Sequence, residues 1–124
     1  MRDLDLYEHL KVFSDGGARG NPGPAAIAFI IKSDNCIIKN YAEFIGVHTN
    51  NQAEYKALIA AMKFASDKTK EITCYLDSEL VVKQVNGEYS VRNLKLKDLW
   101  KEVQNLRKCF KKSAFTSVPR TNIN

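Results

Sequence analysis

Three acidic residues stand where chemistry is commonly placed. Asp15 lies directly before Gly16-Gly17, Glu54 follows Thr49-Asn50-Asn51 at the head of a helical pattern, and Asp77 closes the β-rich run 71–76. Strand ends and the first turns of helices are where open α/β sheets bind their ligands. Carboxylates converging there with no Arg or Lys at hand repel one another, and a hard divalent cation relieves that repulsion. Oxygen ligands suit Mg²⁺. Two such ions, about 4 Å apart, suit in-line hydrolysis of a phosphodiester, one activating water and one stabilising the leaving oxygen. Each acid also has a structural reading. Asp15 can be a turn residue before glycines, Glu54 the partner of Asn51 in a variant capping box, and Asp77 the cap of the helix after it. A residue can cap and also bind, so the acids alone leave both readings open.

The elements that would carry them follow from periodicity. Residues 10–14 read as a short strand that ends in a glycine-rich turn, 15–24. The near-continuous apolar run 25–32 reads as a buried strand. A turn at Asp34-Asn35 leads into a third strand, 36–47, so the first three strands form an antiparallel meander. Tyr55, Leu58, Ile59, Met62 and Ala65 then keep helical spacing, 71–76 reads as a strand, and Leu80, Val81 and Val85 fit a short helix stopped at Asn86-Gly87. A longer apolar stripe, Leu96, Leu99, Trp100, Val103, Leu106 and Phe110, marks another helix before a last strand at 114–118. The order βββ-α-β-α-α-β predicts an α/β fold: a five-stranded mixed sheet, three strands in a meander and two parallel, with helices on both faces. If the first and fourth strands are neighbours, Asp15 and Asp77 end side by side.

Bulk properties narrow the classes. The 124 residues make one domain, expected over 10–124 after a short extension, 1–9. Hydrophobic residues are 44% and charged residues 27%, as in globular domains, and no apolar run approaches the roughly 20 residues of a membrane span. Asp3, Asp5 and Glu8 near the start speak against a secretory signal. Cys36, Cys74 and Cys109 are odd in number, far apart and without a Cys-x-x-Cys pair, which points to reduced thiols and a cytoplasmic protein. His9 and His48 have no metal-ligand spacing. The net charge is +5, and eight of the basic residues fall in 92–112 (Arg92, Lys95, Lys97, Lys101, Arg107, Lys108, Lys111, Lys112) against Asp98 and Glu102. Such a stretch is either a solvated helix face or a surface that follows a phosphate backbone.

The residues around the acids carry a resemblance. Ser14-Asp15-Gly16-Gly17-Ala18-Arg19-Gly20-Asn21-Pro22-Gly23-Pro24-Ala25 resembles the first-strand motif of the type 1 ribonuclease H family. Thr49-Asn50-Asn51-Gln52-Ala53-Glu54-Tyr55 resembles its second motif and Leu76-Asp77-Ser78-Glu79-Leu80-Val81 its third, in the same order and at matching intervals. The resemblance implies an RNase H-like fold and an endonuclease that cuts the RNA strand of an RNA–DNA hybrid with two Mg²⁺ ions, for which Mn²⁺ can substitute, leaving 5′-phosphate and 3′-hydroxyl ends. It implies that the metal is bound by the carboxylates of Asp15, Glu54 and Asp77 and by the backbone of Gly16. Asn21 and Thr49 match positions that hold a DNA-strand phosphate, and Asn50 and Asn51 match positions that contact the minor groove. Gly17, with Gly16, lets the backbone approach the RNA strand, and Ser78 also falls on the substrate side. The partner implied is the hybrid, with no small-molecule cofactor and no membrane.

Two departures accompany the resemblance. The segment 86–93, which contains Tyr89, replaces a basic protrusion found in some relatives, so substrate grip is expected from the basic stretch 92–112. Relatives also carry a fourth carboxylate, an Ala-Asp pair a few residues beyond a Val-Pro-Arg that Val118-Pro119-Arg120 resembles. This sequence reaches Asn122-Ile123-Asn124 before that point, so the expectation is a last helix missing, weakened cleavage and self-association through a sheet face without cover. The alternative is a nucleic-acid-binding module of the same fold that does not cut. An integrase-like or exonuclease domain is a weaker alternative, against which the Gly-Asn-Pro-Gly-Pro turn and the Asn-Asn-x-x-Glu helix both speak.

Overall fold

The structure, a computed structural model, describes residues 6–119. Its elements are β1 (Leu10–Ala18), β2 (Gly23–Ser33), β3 (Cys36–His48), α1 (Asn50–Ala65), β4 (Glu71–Leu76), α2 (Glu79–Val85), α3 (Leu94–Arg107) and β5 (Lys112–Ser117), in the order the sequence predicts. The strands form one mixed five-stranded sheet, β3-β2-β1-β4-β5. β1, β2 and β3 are the antiparallel meander, and β4 and β5 run parallel to β1.

Strand alternation decides where the helices go. Leu10 and Val12 of β1, Phe29 and Ile31 of β2, Ile72, Cys74 and Leu76 of β4 and Phe115 of β5 are all buried in one cluster. Leu58 and Met62 of α1, Val81 and Val85 of α2 and Val103 of α3 join that same cluster. The sequence pattern led to helices on both faces; among the described residues all three cover one face. On the other, the Phe13 and Tyr75 rings stack 5.0 Å apart with the Lys32 ammonium 5.4 Å from the Phe13 centroid. The run 25–32 accordingly buries alternate residues rather than all of them.

The helices are joined by polar ties as well as by packing. The Tyr55 hydroxyl of α1 donates to Gln84 Oε1 of α2 at 2.7 Å. Trp100 Nε1 donates to the Gln84 carbonyl, while Gln104 Nε2 and Arg107 Nη1 both donate to the Val85 carbonyl. α3 thus satisfies the Val85 carbonyl at the C-terminal end of α2 and adds a donor to the Gln84 carbonyl, which also accepts from the Gly87 amide. α2 stops at Asn86 and at Gly87, whose φ of 81° favours glycine, as the sequence predicts. α3 ends at Arg107, so Phe110, expected on its stripe, is buried from the turn that follows. Of the described residues before β1, Tyr7 bridges to Thr69, and His9 Nε2 lies 2.8 Å from Thr73 Oγ1.

Candidate metal centre

Sheet register brings two of the three acids together. β1 and β4 pair from Leu10–Ile72 to Phe13–Tyr75. Continuing that register two residues further sets Asp15 beside Asp77, where β4 has ended. The sequence pattern placed Asp15 at the end of β1; instead it lies inside the strand, opposite Ala28, and β1 runs on with β2 alone to Ala18. Gly16 and Gly17, read as turn residues, are strand residues, because β2 begins at Gly23 and supplies them with partners, while Gly20 stays in the turn. What Asp15 occupies is the end of the β1–β4 ladder.

The third acid comes from α1. Glu54 is buried, and its Oε1 accepts a hydrogen bond from the Gly16 amide at 2.6 Å. That contact needs Gly16 to lack a side chain. A Cβ there would collide with the Ala53 carbonyl, so only glycine lets α1 lie this close to β1. Gly16 therefore serves helix packing and orients Glu54, whereas Gly17 lies on the other face of the strand. One oxygen from each of Asp15, Glu54 and Asp77 falls within 4.8 Å of the others.

The structural alternatives for the acids are taken up by their neighbours. Thr49, not Asn51, caps α1: its side chain accepts from the Gln52 amide at 3.1 Å, and Gln52 Oε1 accepts from the Thr49 amide at 2.8 Å. The capping box is thus Thr49 with Gln52, and Glu54 has no part in it. Gln52 was the residue to notice, since Thr-x-x-Gln is itself a capping-box pattern. Ser78 caps α2 by accepting from the Val81 amide at 3.2 Å, which relieves Asp77 of that duty.

Electrostatics mark Glu54 most strongly. Burial, reinforced by the adjacent Asp77 and Asp15 charges and opposed by the Gly16 amide, pushes its carboxyl up to about 9. Its second oxygen, Oε2, is buried without a hydrogen-bond donor. A proton shared with Asp77 answers that need, and so does a cation. Two oxygens bound to one Mg²⁺ at about 2.1 Å lie at most about 4.2 Å apart, so the 4.8 Å cluster needs only a small side-chain adjustment to hold one. An all-oxygen donor set with a buried, unsatisfied carboxylate oxygen fits a hard divalent ion.

Two of the expected substrate residues neighbour the acids along the chain, Gly17 two residues from Asp15 and Ser78 next to Asp77. Asn21 Oδ1 accepts from the Asn50 amide at 2.9 Å, and Asn50 Oδ1 accepts from the Ala18 amide at 2.8 Å, tying the β1–β2 turn to the start of α1. Asn21, Thr49 and Asn51 line a groove of about 1030 Å³ that also takes in Asn93, the N-cap of α3, and Lys95 in its first turn. The basic stretch divides. Lys95 reaches this groove, whereas Lys111 and Lys112 stand at the start of β5, beside Glu71 at the opposite end of the parallel strands from Asp77. Arg107 is committed to the Val85 carbonyl and Ser113.

Comparison with known proteins agrees with this geometry. A family model described as reverse transcriptase-like matches residues 13–124. Ribonuclease HI of Halobacterium salinarum is 40% identical over 118 residues, 94% of this chain, and the chain spans 59% of that relative's length. The crystal structure of RNase H1 from Halobacterium salinarum superposes with a TM-score of 0.89 at 37% identity, covering 93% of this chain and 89% of that one. LC11-RNase H1, solved in complex with an RNA/DNA hybrid, superposes at 0.84 with 33% identity, covering 91% of this chain and 87% of its own. Sheet order, helix placement and sequence together show that the chain belongs to the reverse transcriptase-like family of RNase H-like domains, among the relatives of ribonuclease H1.

Proposed function

We propose that this chain is an endoribonuclease that hydrolyses the RNA strand of RNA–DNA hybrids, with Asp15, Glu54 and Asp77 holding two Mg²⁺ ions that Mn²⁺ can replace. The observation that carries the proposal is the meeting of three carboxylates from β1, α1 and the end of β4 within 4.8 Å. The hybrid captured by LC11-RNase H1 supports the choice of substrate. When bound, the cations neutralise the phosphate and lower the pKa of attacking water.

The chain's own residues do the rest. Asp15 and Asp77, half-buried at the end of the β1–β4 ladder, supply anionic ligands, and Glu54 becomes one by giving up its proton. The Gly16 amide holds Glu54 in place for both states. Asn21 accepts with Oδ1, so the group it offers a DNA-strand phosphate is its amide N–H, with Thr49 beside it. Asn50 and Asn51 lie next to the minor groove of the hybrid, and Gly17 and Ser78 flank the strand that is cut. Displacement at phosphorus by water, with the ribose 3′ oxygen leaving, gives 5′-phosphate and 3′-hydroxyl ends.

The test is a hybrid with a labelled RNA strand, incubated with Mg²⁺ or Mn²⁺. Cleavage is expected with either ion, and chelation or Asp77→Asn abolishes it. Products that a polymerase can extend confirm the 3′-hydroxyl. A chain that binds the hybrid and leaves it intact with both ions is a binding module instead.

A further inference from the structure

Phe44 is the most exposed large apolar side chain among the described residues, at 88%. An exposed apolar residue carries little meaning alone; its neighbours give this one a context. Phe44 pairs with Ala26 of β2, and Ala26 pairs with Gly17 of β1, so the three form one row across the sheet. The two small residues leave an open floor beside the ring. The result is a trough of about 590 Å³, floored by Gly17 and Ala26, with Phe44 on one side and Arg19 and Pro24 on the other. Arg19 is exposed, and its guanidinium has no ion-pair partner among the described residues.

Place and chemistry narrow the occupant. Asp15 lies two residues along β1 from Gly17, about 7 Å, and on the same face. That is the reach of a neighbouring nucleotide. The trough takes in the base of the β1–β2 turn, Arg19 and Pro24, and the groove lined by Thr49 and Asn51 takes in its tip, Asn21 and Pro22, so the turn links the two depressions. Bases in a hybrid are paired, and its accessible edge presents ribose and phosphate. An aromatic ring matches the C–H face of a ribose, and a guanidinium matches a phosphate.

We infer that this trough seats the nucleotide of the cut strand next to the scissile phosphate, Phe44 packing on its ribose and Arg19 pairing with its phosphate. The inference rests on the proposed hybrid substrate and names two positioning residues for it. The variants are Phe44→Ala, Phe44→Trp and Arg19→Ala, each checked by thermal melting. They are read by fluorescence anisotropy on a labelled 12-base-pair RNA–DNA hybrid with Ca²⁺, and in parallel by steady-state cleavage with Mg²⁺. Phe44→Ala is expected to weaken binding and raise KM by about tenfold, with kcat changed less than about twofold, and Phe44→Trp to restore both. Arg19→Ala is expected to lower the slope of log affinity against log salt by about one. If wild-type protein cuts hybrids and these variants bind and cut like it, the trough is not a substrate site. If wild-type protein binds hybrids without cutting, loss of affinity in the variants still supports the trough, and unchanged affinity overturns it. Absence of any hybrid binding by wild-type protein removes both proposals.

Discussion

Glu54 carries a proton at neutral pH in the metal-free protein, and that has consequences of definite sign. Its pKa is raised, from an ordinary 4.5 to about 9, so the folded state binds this proton more tightly than the unfolded chain. The resulting stabilisation is complete below about pH 4.5 and is lost as pH rises towards 9. In chelator, the melting temperature of Glu54→Gln should therefore match wild type near pH 5 and exceed it near pH 8.5, since the amide keeps an acceptor for the Gly16 N–H and cannot ionise. Equal melting temperatures at both pH values would show that the Glu54 charge costs the fold nothing. Asp77 gives the complementary expectation. Because Ser78 caps α2, Asp77→Asn should leave the metal-free protein as stable as wild type or more so, by relief of like-charge repulsion. The same variant should abolish the rise in melting temperature on adding Mg²⁺ or Mn²⁺. Unfolding of the metal-free variant would instead return Asp77 to a structural role.

At the scale of elements, the β1–α1 contact is the hinge of the site. Gly16→Ala forces a methyl group against the Ala53 carbonyl and displaces α1 from β1. A cost of about 3 kcal/mol in urea unfolding is expected for such overpacking, together with a weakened metal response. Gly17→Ala, whose added methyl meets nothing closer than Asn50 Oδ1 at 3.9 Å, should cost far less, and parity of the two would discard this explanation. The same contact shows what the sequence could and could not convey. Order, type and approximate position of all eight elements were legible, because alternation and helical spacing are local. The three acids were legible as a set because each sits at a change of pattern. The end of β1 was not: Gly16-Gly17 reads as a turn unless one knows that Ala26 and Ile27 lie opposite. Nor was the cap of α1, since Asn51–Glu54 and Thr49–Gln52 have the same spacing. What separates them is a hydrogen bond from Gly16 that claims Glu54 across 38 residues. Placing helices on both faces failed for a related reason. Phe13, Ile30 and Tyr75 give the strands apolar residues on both sides, and composition does not say which side a helix covers.

For the whole molecule, parallel strands sort charge by their direction. The carboxylates gather at the C-terminal end of β4, and Lys111 and Lys112 enter β5 at its N-terminal end. Lys112 pairs with Glu71, six residues and about 20 Å from Asp77 along the strand. That separation is about twice the screening length at physiological salt. The basic stretch 92–112 is continuous in sequence, and the turn after α3 carries its last part away from the site. Lys95, on the wall of the groove that holds Asn21 and Thr49, is the part that remains close. Hybrid affinity should fall steeply with salt, as expected for a chain of net charge +5 that contacts phosphates. Lys95→Ala should reduce the slope of log affinity against log salt by about one. Lys111→Ala with Lys112→Ala should leave the slope as it is, despite removing twice the charge. Titrations of a labelled hybrid between 50 and 200 mM salt, roughly the range where such slopes are read, decide the matter. A smaller slope in the double variant and none of the effect in Lys95→Ala would place the phosphate-binding surface at the far end of the sheet and detach the groove from the substrate.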